Sequence, residues 1–96
     1  GDPYVEMIVA DRYQLTELLG TGAMGRVYRA RQTTLGKLFA VKLLHPHLTG
    51  DSDTQARFAN EAHNSAALNH PNIVSVVDYG RTAEGISYLV MEYVEG

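Results

Sequence analysis

Apolar and polar residues alternate along most of this chain with a period of two, and they take up a helical spacing only once. Tyr13 to Leu19 and Val27 to Arg31 both alternate, the second run placing Val27 and Arg29 on one face and Tyr28 and Ala30 on the other. That is the pattern of strands with one side on a core. Gln32-Thr33-Thr34-Leu35-Gly36 reads as a turn, and a third strand runs from about Lys37 to Leu44, where Pro46 closes it. Thr49 to Asp53 is a loop ending in a helix start, because Ser52 and Gln55 have capping-box spacing and Asp53 suits the positive end of a helix. The helix extends to about Leu68 and carries a small apolar face of Phe58, Ala59, Ala62, Ser65 and Ala66. His70-Pro71-Asn72 ends it, since the residue before a proline is driven out of helical backbone. Ile73 to Tyr79 and Ile86 to Tyr93 are two further strands, joined through Gly80–Gly85. Ahead of all this, Val5, Met7 and Val9 alternate with Glu6 and Ile8, so the lead-in Asp2–Ala10 is expected to add an edge strand or to pack on the sheet. The expected fold is α+β, a five-stranded antiparallel sheet with one packed helix, as one domain over residues 11–96 behind a lead-in of residues 1–10.

Composition narrows the picture. Ninety-six residues, 45% of them hydrophobic, can bury one modest core and no second domain. The net charge of −3 gives no general attraction to nucleic acid or anionic lipid, and neither is expected as a partner. The charges are unevenly placed, however: Arg26, Arg29, Arg31, Lys37 and Lys42 fall between Leu18 and Gly50 with no acid among them. On a hairpin, Arg29, Arg31 and Lys37 read as solvated side chains. Cysteine is absent, and the apolar runs are far shorter than the roughly 20 residues of a membrane-spanning helix, so the expectation is a cytoplasmic domain with no membrane segment here. His45, His47, His63 and His70 lack the spacing of a zinc site, and no metal is expected on them.

Candidate chemistry begins at Leu19-Gly20-Thr21-Gly22-Ala23-Met24-Gly25-Arg26-Val27. Three glycines in the pattern G-x-G-x-x-G let a backbone turn tightly and bring N–H groups against an anion with no Cβ in the way. The same spacing opens dinucleotide-binding βαβ units, but there a helix follows the third glycine and an acidic residue lies about 20 positions on. Here Arg26 to Arg31 alternates like a strand, and the region around Leu43-Leu44-His45-Pro46 has no acid. A mononucleotide P-loop is excluded as well, since Gly36-Lys37 is followed by Leu38. The glycines therefore bend a β-hairpin.

Lys42 gives the sharper inference. It is flanked by Phe39, Ala40, Val41, Leu43 and Leu44, and a buried ammonium without an anion is strongly unfavourable. Glu61 in the helical stretch is the resident candidate. The glycine motif closing on Val27, then Phe39-Ala40-Val41-Lys42, then Glu61, stand in the order of the N-terminal kinase signature. With Asn60-Glu61-Ala62, Leu68 to Val74 and Met91 to Gly96, the chain from Asp11 onward resembles the N-terminal, ATP-binding lobe of a bacterial serine/threonine protein kinase.

That resemblance implies ATP as cofactor, with Mg²⁺ only in a complete kinase, and a protein substrate held by the absent C-lobe. It implies that Gly20, Thr21, Gly22, Ala23, Met24 and Gly25 cover the phosphates, that Glu61 orients Lys42 towards them, and that Leu19, Val27 and Ala40 sandwich the adenine. Met91 would stand at the back of the pocket, with Glu92 and Val94 supplying backbone hydrogen bonds. The catalytic-loop motif H-R-D-x-x-x-x-N and the metal-binding D-F-G do not occur, so no catalytic residue is expected within these residues and the chain alone is expected to be inactive. An alternative is a free-standing interaction module that pairs with a second copy through Val27, Ala40, Met91 and Leu68, apolar groups that the other lobe would otherwise cover.

Overall fold

The computed structural model describes residues 3–22, 25–44 and 73–94, without the side chains of 73–75. Within these residues lie six strands: β1 (Ile8–Val9), β2 (Tyr13–Thr21), β3 (Gly25–Gln32), β4 (Leu38–Leu44), β5 (Ile73–Arg81) and β6 (Ser87–Tyr93). They form one sheet in the order β1-β2-β3-β4-β6-β5, antiparallel throughout. The expected helix, with Glu61 on it, lies outside the described residues, as do Ala23 and Met24.

The sheet has one strand more than the five expected, because the lead-in pairs with β2 through Ile8↔Gln14 and Val9↔Tyr13. Its alternation does not extend into a longer strand because the backbone turns twice. Met7 N–H donates to the Tyr4 carbonyl at 3.0 Å across a turn with Glu6 at φ 77°. Arg12 N–H donates to the Val9 carbonyl at 3.1 Å across Ala10 (φ 53°) and Asp11 (φ 58°), both left-handed as at the central positions of a type I′ turn. Between the turns, Glu6 N–H reaches the Leu15 carbonyl at 2.7 Å and Leu15 N–H the Met7 carbonyl at 2.9 Å. The lead-in is thus hydrogen-bonded into the domain.

Side-chain alternation gives the sheet two unlike faces. On the first, Val9, Tyr13, Leu15, Tyr28, Ala30, Phe39, Val41, Leu43, Tyr88 and Val90 form the main core, against which Tyr4, Val5, Met7, Ala10 and Ile86 pack. Tyr13 meets Phe39 edge to face with centroids 5.4 Å apart, and Tyr4 meets Tyr28 at 6.2 Å. On the second face lie Ala40, Leu44, Leu89 and Met91. Four strand spacings of about 4.8 Å would hold β2 and β5 about 19 Å apart in a flat sheet. Arg12, at the entry to β2, nevertheless reaches Asp78 on β5 at 3.6 Å. The sheet is therefore curled, with the first face inside and the lead-in filling the mouth.

Local chemistry explains the remaining joints. Gly36 (φ 74°) and Gly85 (φ 89°) take left-handed backbone in the β3–β4 and β5–β6 turns, and the latter is tightened by Thr82, whose Oγ1 accepts from Ile86 N–H at 3.1 Å. Burial holds the Tyr13 hydroxyl above the usual tyrosine range, with the nearby charge of Asp78 and the Tyr88 hydroxyl adding to the rise and Arg12 opposing it.

Candidate functional site: the second face of the sheet

Residues directly opposite in an antiparallel pair share a face. Gly20 is paired with Val27, Val27 with Lys42, and Lys42 with Leu89, which makes one row across four strands. The next row runs Glu17, Arg29, Ala40, Met91 and Val76. The second face accordingly gathers residues 72 positions apart in sequence, from Leu19 to Met91, into a single cluster in which Leu19, Val27, Val76 and Tyr93 pack on Ala40, Leu44, Leu89 and Met91. Four of the expected adenine-contacting residues, Leu19, Val27, Ala40 and Met91, belong to it.

Lys42 stands beside this cluster in β4, flanked by buried residues, with only 9% of its surface exposed. Its ammonium is thereby held at the edge of an apolar wall, the arrangement that attracts an anion most strongly because little water screens it. The expected partner Glu61 falls outside the described residues. Glu92 is paired with Phe39, which puts its side chain on the opposite face from Ala40 and Met91 and leaves only its backbone for the cleft. Val94 is exposed, one residue past the end of β6.

The three glycines do not share one task. A Cβ on Gly20 would meet nothing within 4 Å, so this is open backbone that a ligand can approach. Gly22 N–H donates to the Gly25 carbonyl at 2.9 Å, which closes the hairpin, and Thr21 is paired with Arg26 across it. Gly25 is buried, and a Cβ there would strike the carbonyl of Leu43 and lie 3.2 Å from the Cα of Leu44. Beside the phosphate-covering role expected of it, Gly25 therefore has a packing role: it lacks a Cβ because β3 and β4 approach closely at that point.

A correction concerns exposure. Ala40 and Met91 were expected to lie open on the cleft side, yet both are 0% exposed, and Val27 is half-buried. Leu19, Val27, Val76 and Tyr93 of the same face pack against their cluster. The large apolar groups that do meet solvent among the described residues are Ile8, Leu18, Leu35, Val77, Tyr79 and Val94. Arg29 also differs from the solvated cation expected. Its Nε donates to Thr16 Oγ1 at 3.2 Å, Thr16 Oγ1 donates to the Arg29 carbonyl at 3.1 Å, and its Nη1 lies 3.5 Å from Glu17 Oε1. The alternation that pairs Arg29 with Val27 on one face was the available signal. Lys37 covers the Phe39 ring at 5.4 Å.

A curled antiparallel sheet with a glycine-bearing β2–β3 hairpin, an apolar cluster on one face and a nearly buried lysine on the third long strand defines the N-terminal portion of a protein kinase. The family model described as the protein kinase domain matches residues 13–96, and the chain belongs to that family. It is 44% identical over 95 residues to the serine/threonine-protein kinase pkn3 of Myxococcus xanthus, covering 99% of this chain and 17% of that protein. It is 46% identical over 91 residues to the serine/threonine-protein kinase PknB of Mycobacterium leprae, covering 92% of this chain and 15% of that protein. Among solved structures, the PknI kinase domain of Mycobacterium tuberculosis superposes with a TM-score of 0.68 at 31% identity, over 100% of this chain and 38% of that one. The chain thus spans less than a fifth of the length of these curated relatives.

Proposed function

We propose that this chain forms the nucleotide-binding wall of a serine/threonine kinase, the half of the cleft that holds ATP while the substrate hydroxyl and Mg²⁺ are held elsewhere. The observation that carries it is the second face of the sheet, where Leu19, Val27, Ala40 and Met91 make an apolar wall directly beside Lys42. Its half-buried members, Leu19 and Val27, offer a flat purine an apolar surface backed by the buried Ala40 and Met91, and Gly20 leaves the backbone next to it uncovered. When bound, ATP supplies the γ-phosphoryl group for transfer to a protein serine or threonine.

In this reading Lys42 holds the α- and β-phosphates and Glu61 fixes the direction of its ammonium. Leu19 and Val27 close on the purine, with the buried Ala40 and Met91 supporting them from behind. The backbones of Glu92 and Val94 offer hydrogen bonds to the base edge, and residues 20–25 arch over the phosphates. Proton removal from the substrate and metal binding require Asp and Asn residues of motifs that these 96 residues do not contain, so the chain on its own orients nucleotide and transfers nothing.

With one wall of the cleft, affinity for ATP is expected in the millimolar range or weaker, about −4 kcal/mol. Titration of the isotope-labelled chain with ATP, followed by NMR, tests this. Saturable shifts at Lys42, Val27 and Met91 are expected, and Lys42→Met should weaken ATP binding while leaving adenosine binding unchanged. Absence of saturable shifts, or equal loss of ATP and adenosine, refutes the proposal.

A further inference from the structure

Two irregularities in β2 place one wall residue of the nucleotide face. Pairing runs regularly through Tyr13↔Gln32, Gln14↔Arg31 and Leu15↔Ala30, skips Thr16, resumes with Glu17↔Arg29 and Leu18↔Tyr28, skips Leu19, and resumes with Gly20↔Val27. Each skipped residue is a β-bulge, which bends its strand and re-aims the side chains beyond it. Leu19 is the second of these. An unbroken register would set Leu19 alone against Val27; the bulge instead puts Leu19 and Gly20 together opposite Val27, with Leu19 packed on the cluster of Ala40 and Met91.

The first bulge, three residues earlier, is held from both sides by Arg29. The Thr16 hydroxyl donates to the Arg29 carbonyl and accepts from the Arg29 Nε, so one residue of β3 grips the extra residue of β2 through its main chain and its side chain. The accompanying Arg29–Glu17 ion pair is 3.5 Å long with the Glu17 side chain 53% exposed, a setting in which an ion pair alone contributes little. The two Thr16 contacts carry the restraint.

We propose that Arg29 and Thr16 form a latch that fixes the bend of β2 and with it the height of Leu19 above the nucleotide face, making Arg29 a positioning residue for purine recognition. Arg29 itself touches Thr16 and Glu17, and acts on the base through Leu19. This rests on the proposed nucleotide reading, and the substrate part it concerns is the purine, since Lys42 lies in a different row of the sheet from Arg29.

The test uses the 96-residue chain with Arg29→Met, Arg29→Lys and Thr16→Val, and two readouts. The first is amide hydrogen exchange without nucleotide. Losing one or two ordinary hydrogen bonds should speed exchange at residues 18–21 by about fivefold to tenfold, with residues 13–15 unchanged. Arg29→Lys should behave like Arg29→Met, because an ammonium cannot reproduce the guanidinium's fixed Nε donor. The second is binding of adenosine and of inorganic tripolyphosphate. Adenosine affinity should fall by a similar factor while tripolyphosphate stays within about twofold. A uniform change in exchange along β2, no change at all, or a parallel loss of both ligands would overturn the latch. Should the unaltered chain bind neither ligand, the nucleotide reading fails, and the exchange pattern still decides whether the latch exists.

Discussion

Replacing Gly25 by alanine should destabilise the sheet. The added Cβ would collide with the Leu43 carbonyl, stand 2.9 Å from its carbon and 3.2 Å from the Leu44 Cα, and all three are backbone atoms that cannot rotate away. Gly25 is paired with Leu44 at the very end of the β3–β4 ladder, so relief requires the two strands to part there. Parting them costs one or two ladder hydrogen bonds at about 1 kcal/mol each and some of the packing of Leu43 and Leu44, with overpacking strain of about 1–3 kcal/mol if they stay together. The expected loss is about 2–4 kcal/mol, against a total of roughly 5–14 kcal/mol for a domain of this size. Gly20→Ala is the control, since its Cβ would enter open space and its cost should stay below about 1 kcal/mol. Urea unfolding of both variants followed by circular dichroism measures the difference, and thermal midpoints should separate by roughly 10 °C or more. If Gly25→Ala unfolds within a degree or two of the parent, or if Gly20→Ala costs as much, the division of tasks between the glycines is wrong.

Two further outcomes follow from strain and burial. Ala10 and Asp11 both sit at positive φ in the β1–β2 hairpin, so the double change Ala10→Asn, Asp11→Gly should stabilise the chain by about 1–2 kcal/mol, read as a raised urea midpoint; a lowered midpoint would contradict the I′ assignment. The Tyr13 hydroxyl is harder to ionise folded than unfolded, so it contributes stability that is complete below the ordinary tyrosine pKa near 10 and is lost as pH rises beyond it. Tyr13→Phe should therefore make the thermal midpoint less dependent on pH between about 9.5 and 11, and an unchanged alkaline slope would sink that attribution.

Most of the sheet is legible from period-two alternation because one face of each strand meets a core. Val27 and Arg29 do share a face opposite Tyr28 and Ala30, and the apolar cluster of the second face emerges from residues whose pairing follows directly from that alternation. What alternation does not carry is register. The bulges at Thr16 and Leu19 leave no mark in composition, so Arg29 looks like any solvated cation until Thr16 is found beside it. The β1–β2 turn is hidden for a related reason: its first left-handed residue is alanine where turn rules look for glycine, asparagine or aspartate. The packing role of Gly25 is hidden as well, because the requirement for a missing Cβ arises separately at each position from what lies opposite.

The lead-in then bears on where the domain physically starts. The family model begins at Tyr13, but Val9 is wholly buried in the main core, and Tyr4, Val5, Met7 and Ala10 pack on it. Curling the sheet far enough for Arg12 to meet Asp78 turns the first face inward, and a curled sheet with an open mouth would leave Tyr28 and Leu15 short of neighbours. Both residues are 0% exposed, with Tyr4 stacked edge-on against Tyr28 and the Met7 carbonyl bonded to Leu15. The lead-in is thus as much a part of the fold as any later strand. Because it completes the core on the inner face, the outer face need not supply that core, and it is on this outer face that Lys42, the apolar wall and the Arg29–Thr16 contact are found together.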